Sequence, residues 1–391
     1  MTTENRVAIL TLHWSNNYGA CYQSYALQAF LENNGYIPQI LDYRMESVNL
    51  SNIMQRPIVS LQKIYQKQIF KWTNVKNWLQ RRRNESNDSN ESNSIFDQFR
   101  DGYLNISSEE LRYEDLTATQ NQFEAYIVGS DQVWAADFEF TSDAYILGFV
   151  DRETFHGKLV SYAASFGKSS LEPYLRPIFR QKLANFDAVS CRETSGCEIV
   201  EHVAHRDVHK VVDPTLLISD YSKITSYASV PEAPYLLVYV LPQDDSLSAA
   251  LANAVEYYSR EMQLDVRVVA PEGCHSSLAQ NVIKPTPQEL LGLIEKCSFL
   301  ATNSFHGTVF GIIFEVPFVV FARDSFSNKQ NVRMQELLRS VGLYDRFIEP
   351  FCSHSDSFAT VNSTIDFAKA KAHLTDTIEN SSSFLLGALK Q

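Results

Sequence analysis

The segment FLATNSFHGTVFGIIFEVPFVVF, residues 299 to 321, is mostly apolar, yet its middle carries Asn303, Ser304, His306, Gly307 and Thr308. Phe299 to Thr302 read as the end of a buried strand. Thr308 to Phe314 read as a buried helix, because a flexible glycine followed by a threonine suits a helix start. After the break at Pro317, Phe318 to Phe321 read as another strand. In a parallel sheet this order puts His306 beyond the carboxyl end of a strand and at a helix N-terminus, where ligands bind and anions are favoured. The bland alternative is a ring that merely hydrogen-bonds backbone in a turn. A second loop of the same kind, Asn16-Asn17-Tyr18-Gly19, lies between the first strand and the first helix. Its asparagines and glycine are equally compatible with ordinary turn chemistry.

The elements that must position these loops alternate along the chain. RVAILTL, CYQSYALQAFLENN and the start of YIPQILDY form a βαβ unit over residues 6 to 42, with Tyr22, Tyr25, Ala26, Ala29 and Phe30 on one helical stripe and Gly35 as the stop. Strands follow at AYIVGSDQVW, KLVSYAASFG and FDAVSCRETSG, and KVVDPTLLIS closes this half before the Pro-rich connector SVPEAP. The second half runs from the strand PYLLVYVLP through a helix at 246–262, the strand VRVVAP and the helix PTPQELLGLIEKC into the segment quoted above. This pattern predicts an α/β fold with two doubly wound parallel sheets facing a cleft, residues 1–228 and 229–391, the terminal helix being a candidate to pack back on the first domain.

Residues 45 to 95 interrupt the alternation. RRRNESNDSNESNS is polar and of low complexity, which predicts a loop. Before it, Leu61, Ile64, Tyr65, Ile69, Trp72, Val75 and Leu79 share a helical stripe with lysines and Arg81 to Arg83 alongside. Two readings stand for this basic helix at 59–83: peripheral contact with a membrane surface, or packing on its own domain or a partner subunit.

Composition excludes several classes. A formal net charge of -12 over 391 residues argues against non-specific nucleic-acid binding, so an anionic ligand must meet a local basic cluster. Glu4 stands where a secretory leader wants positive charge, and no apolar run approaches the ~20 residues of a membrane span, so a cytoplasmic location is expected. The six cysteines are scattered without a CxxC pair, which indicates neither a disulfide framework nor a zinc site. Phosphate-loop, dinucleotide-fingerprint, zincin and nucleophile-elbow motifs are all missing, and no metal site is expected.

Four blocks, in order, resemble the polysaccharide pyruvyl transferase family: ILTLHWSNNYGACYQSYALQAFLENNGY, FEAYIVGSDQVW, VSCRETSG with VVDPTLLI, and TNSFHGTVFGIIFEVPFVVF. The similarity spans about residues 6 to 347. It implies a two-domain, GT-B-like transferase that moves the enolpyruvyl skeleton of phosphoenolpyruvate, used as a co-substrate without further cofactor, onto two hydroxyls of a sugar as a cyclic ketal. The acceptor would be a cell-surface polysaccharide, such as a capsule or exopolysaccharide, or its lipid-linked precursor at the inner membrane face.

The resemblance also implies roles. His306 would move protons, since an imidazole can take up and release one near neutral pH, and Asp131 would orient or deprotonate the acceptor. Arg192 and Arg333, with Ser304, Gly307 and Thr308, would hold the donor's phosphate and carboxylate. Asn16, Asn17 and Gly19 would contact the acceptor or shape its loop. Some branches of the family carry an arginine two residues before the histidine; Ser304 stands there in this chain, which moves that contact elsewhere. The competing readings are a GT-B glycosyltransferase with a nucleotide-sugar donor and a non-catalytic α/β sugar-binding protein.

Overall fold

Short runs of apolar residues that are buried on both faces make most of the parallel strands, of which there are eleven among the described residues. The computed structural model describes residues 4–44, 57–58, 89–135, 143–226, 230–243, 245–323, 329–349 and 354–390. The basic helix expected at 59–83 therefore lies outside the described residues. The chain divides into two compact units, one of Met1–Ile218 with Ile378–Gln391, the other of Ser219–Thr377.

The first unit holds β1 (Arg6–Leu10), β2 (Ile37–Ile40), β3 (Ala125–Val128), β4 (Lys158–Ala164), β5 (Ala188–Cys191) and β6 (His209–Lys210), all parallel, in the order β2-β1-β3-β4-β5-β6. Winding reverses at β1, so the switch point lies between β1 and β3. Among the described residues its helices of eight or more residues are α1 (Tyr18–Asn33), α2 (Ser89–Tyr103), α3 (Arg176–Leu183) and α4 (Thr194–Ala204).

The second unit holds β7 (Tyr235–Tyr239), β8 (Asp265–Val269), β9 (Phe299–Thr302), β10 (Phe318–Phe321) and β11 (Phe347–Ile348), in the order β11-β10-β9-β7-β8. Read from its other edge this is again second, first, third, fourth, fifth, with the switch point between β7 and β9. Its helices are α5 (Asp245–Met262), α6 (Pro287–Lys296), α7 (Phe305–Ile313), α8 (Lys329–Ser340), α9 (His354–Val361) and the first part of α10 (Phe367–Lys390). The later part of α10 belongs to the first unit, where Ser381 Oγ accepts the Val212 N–H at 3.0 Å.

Three local expectations need correction. The polar run before residue 95 was expected to be loop, yet residues 89–94 already lie in α2. The helix is anchored by its aromatic end: Phe96 packs on Tyr18, Phe99 on Tyr22 and Tyr103 on Tyr25, so α2 covers α1. Gly19 sits inside α1, buried, because the Asn17 side chain accepts from Ala20 N and opens the helix at Tyr18. The strand expected over residues 125–134 stops at Val128, since Gly129, at φ +124°, turns the chain there. A Cβ on Gly129 would overlap the Tyr162 carbonyl oxygen of β4.

Candidate active site

The loop after β9 is built as a helix start, three residues earlier than expected. Ser304 is the N-cap of α7, accepting Gly307 N–H at 3.3 Å, and the buried Thr308 spends its hydroxyl on the Ser304 carbonyl at 3.0 Å. Gly307 is required by packing, because a Cβ there would lie 2.5 Å from Thr302 Oγ1 and 3.1 Å from the Tyr239 ring. The Ser304 hydroxyl, Gly307 and Thr308 thus hold the loop together. His306 is left in the first turn of α7, half-buried, its ring edge-on to Phe305 at 5.3 Å between centroids. A side chain at that place meets the positive end of the helix dipole.

What aims this loop is Asn303, named above but given no role there. Asn303 is 1% exposed and clamps the loop after β7: its Oδ1 accepts Leu241 N–H at 2.7 Å, and its Nδ2 donates to the Leu241 carbonyl and to Gln243 Oε1, each at 2.9 Å. The clamp ties the two strand ends that flank the switch point of the second unit. Arg333 lies on α8, half-buried. Nearer the strand ends, Arg323 stands two residues past β10, and its Nε donates to the Pro242 carbonyl at 3.1 Å.

In the first unit, Asn16, Asn17 and Gly19 follow β1, and Asp131 follows β3, so the fold brings both loops to one switch point. Asn17 is spent as the α1 cap and Asn16 Oδ1 accepts from Arg100 at 3.0 Å. The buried Gln23 links the two strand ends, donating to Thr11 Oγ1 at 2.8 Å and accepting from Ser130 N–H at 3.1 Å. Asp131 has φ +67°, a left-handed turn that Asp tolerates, and its side chain is 19% exposed.

Arg192 stands opposite Asp131, but its surroundings differ from the expectation. Its guanidinium is buried and meets Asp213 at 2.7 Å, Glu193 at 2.9 Å and, more loosely, Asp131 at 3.5 Å. Burial works against its charge, yet the three carboxylates outweigh burial and hold it protonated. Three negative groups around one cation do not favour an additional anion. This geometry suits a residue that positions Asp131 and the strand ends rather than one that grips a phosphate. Asp213, an unassigned member of the VVDPTLLI block, is fully buried and also caps the turn at Pro214–Leu216 through Thr215.

A second buried pair at this edge, His13 with Asp42, left no signal in the sequence because 29 residues separate the partners. His13 Nε2 lies 3.0 Å from Asp42 Oδ1 and its Nδ1 lies 3.2 Å from the Thr11 carbonyl, while Arg44 Nε donates to the same carboxylate at 3.0 Å. Burial raises the Asp42 carboxyl, but the His13 and Arg44 hydrogen bonds and charges outweigh it, leaving it below the ordinary carboxylate range. That stabilisation is fully present above the unfolded carboxyl's ~3.9 and is lost as pH falls through the lower folded value. Asp42→Asn should therefore lower unfolding stability by about 1.5–3 kcal/mol at neutral pH. The gap to the unaltered protein should close at acid pH, which urea midpoints measured across pH would reveal.

Two doubly wound parallel units, each carrying polar and ionisable side chains where its winding reverses, define a ligand-binding α/β protein. The chain belongs to the polysaccharide pyruvyl transferase family, whose family model matches residues 17–325. Membership makes it a transferase with a sugar or polysaccharide acceptor. No match is found among curated proteins.

Among solved structures, a protein described as a UDP-N-acetylglucosamine 2-epimerase from Listeria monocytogenes is similar over 98% of this chain and 95% of its own, at 10% identity and a TM-score of 0.55. Spinosyn rhamnosyltransferase SpnG gives 0.47 at 11% identity, covering 99% of this chain and 100% of its own. The wall teichoic acid polymerase TagF gives 0.46 at 10% identity, covering 99% and 88%. At 10% identity the likeness to the first of these is one of fold. Among the described residues no helix is long and apolar enough to cross a membrane.

Proposed function

We propose that this transferase moves the pyruvyl group of phosphoenolpyruvate onto two hydroxyls of one sugar in a cell-surface polysaccharide or its lipid-linked precursor. In the reaction the donor methylene takes up a proton and becomes a methyl group. One sugar hydroxyl adds to the adjoining carbon, phosphate leaves with its oxygen, and the second hydroxyl closes the cyclic ketal. The two hydroxyl protons balance the one gained by the methyl group and the one carried away on phosphate.

The observation that carries the reading is the place of His306, in the first turn of a helix beyond the carboxyl edge of β9, within the span that the family model matches. An imidazole there can deliver the proton to the methylene, while the helix N-terminus favours the donor's negative charge. Asp131, at the switch point of the first unit and partly exposed, is assigned to the acceptor hydroxyl.

Phosphoenolpyruvate should raise the melting temperature of the protein while UDP and GDP should not; at a hundredfold excess over Kd the gain is about 2.7 kcal/mol. With a panel of lipid-linked and aryl glycosides, mass spectrometry should detect the ketal. Stabilisation by UDP or GDP alone would favour a nucleotide-sugar glycosyltransferase instead, and no response to either ligand would favour a non-catalytic sugar-binding protein.

A further inference from the structure

We propose that Cys197 is an oxidation site for hydrogen peroxide and that Cys191 resolves it, closing a reversible disulfide across the turn that carries Arg192. The two cysteines bracket the segment CRETSGC. Cys191 ends β5 and is buried, and Cys197 lies in the opening turn of α4, four residues after the N-cap Glu193. Both are free thiols.

Packing brings the two together. A Cβ on Gly196 would lie 3.1 Å from Cys191 Cβ and 3.4 Å from its Sγ, so a glycine there lets the start of α4 press on Cys191. The next residue is Cys197, and the two thiols hydrogen-bond to each other. Lys210 is the β6 partner of Cys191, and its Nζ donates to Thr194 Oγ1 at 2.9 Å, which sets a cation at the same helix start.

Their surroundings give the two thiols different roles. Cys197 is half-buried, so peroxide can reach it, whereas Cys191 is closed off from solvent. The hydrogen bond with Cys191 and the charge of Lys210 outweigh burial and hold the Cys197 thiol below its ordinary value. A helix N-terminus favours a thiolate as well. Burial pushes the Cys191 thiol well up, which keeps it protonated until a sulfenic acid forms beside it.

The Cys197 thiolate attacks one peroxide oxygen, the O–O bond breaks, and a sulfenic acid forms with hydroxide, which takes up a proton to become water. The Cys191 sulfur then attacks the Cys197 sulfur. The S–O bond breaks, and the Cys191 proton leaves with the hydroxyl as a second water. A disulfide of about 2.05 Å is shorter than a thiol hydrogen bond, so closure must draw the start of α4 towards β5. Arg192 and Glu193 lie inside the closed ring, and Arg192 is the residue that reaches Asp131 and Asp213.

The test treats the reduced full chain with hydrogen peroxide, then alkylates and maps it with trypsin. Cleavage after Arg192 puts the cysteines on separate peptides, so the disulfide should appear as a linked pair that dithiothreitol releases. Before peroxide, Cys197 should react with iodoacetamide on the order of tenfold faster than Cys274, whose thiol burial pushes up. In Cys191→Ser the sulfenic acid on Cys197 should persist and be trapped by dimedone. In Cys197→Ser, Cys191 should stay a free thiol. Phosphate release from phosphoenolpyruvate should fall about tenfold or more on oxidation and return with dithiothreitol, while peroxide should leave Cys197→Ser unchanged.

A Cys191 that stays free while Cys197 goes on to sulfinic acid would overturn the pairing, and so would a Cys197 left intact while Cys274 is oxidised. A disulfide without a fall in turnover would overturn the effect on the Arg192 turn. That last measurement alone rests on the pyruvyl-transfer reading: a reduced protein that releases no phosphate would remove that reading, and the peptide map would still decide the thiol site.

Discussion

Replacing His306 by alanine should lower turnover about 10² or more, the ordinary consequence of removing a general acid or base. The fold should survive, because the start of α7 does not depend on the imidazole. Ser304 caps the helix, Thr308 bonds back to the Ser304 carbonyl, and Asn303 pins the loop to Leu241 and Gln243. The loss should fall on kcat and on kcat/KM alike, since a proton delivered in the transition state contributes little to ground-state binding. Phosphate release from phosphoenolpyruvate in the presence of acceptor is the measurement. Near-normal turnover in a folded His306→Ala protein would return the histidine to a merely structural part of its turn.

Arg192→Met should destabilise the protein by about 3–5 kcal/mol, the cost of stranding a buried carboxylate whose ion partner has been removed. Asp213 is the group at risk: its side chain is fully buried, and the Arg192 contact at 2.7 Å is the charged one it makes at Oδ2. Glu193 would lose its partner as well, whereas Asp131, at 3.5 Å and partly exposed, would suffer least. Adding Asp213→Asn to Arg192→Met should recover part of the loss, because the neutral amide needs no counter-charge. Urea unfolding of the single and double variants gives the coupling. If Arg192 gripped the donor, stability would barely change and phosphoenolpyruvate affinity would fall, so the same variant measured by both methods separates the two roles.

Much of the architecture could be read from local pattern. The strand FLAT, the helix over residues 246–262 and the helix after Pro287 appear where their periodicity and caps place them. The misreadings were local too. Thr308, after a flexible glycine, has the pattern of a helix start, but Ser304 has both the geometry and the hydroxyl bond of an N-cap. Residues 89–94 have the polar pattern of a loop, because the aromatic residues that hold α2 against α1 come only after them.

Alternation of apolar strands with capped helices determined that the chain builds two parallel α/β units, and the order of four blocks determined the family. Those features are local, and each is decided by residues a few positions apart. Which loops become neighbours was decided only by tertiary structure. The two halves show no sequence repeat, yet both sheets share one strand order, because that order depends on long crossovers and non-local pairing. Arg192 gathers Asp131 from 61 residues away and Asp213 from 21, and Arg323 reaches Pro242 across 81. A charge in a motif is visible in the sequence. Whether it faces a ligand or is neutralised from across the sheet edge depends on partners that only the closed fold brings within hydrogen-bond distance.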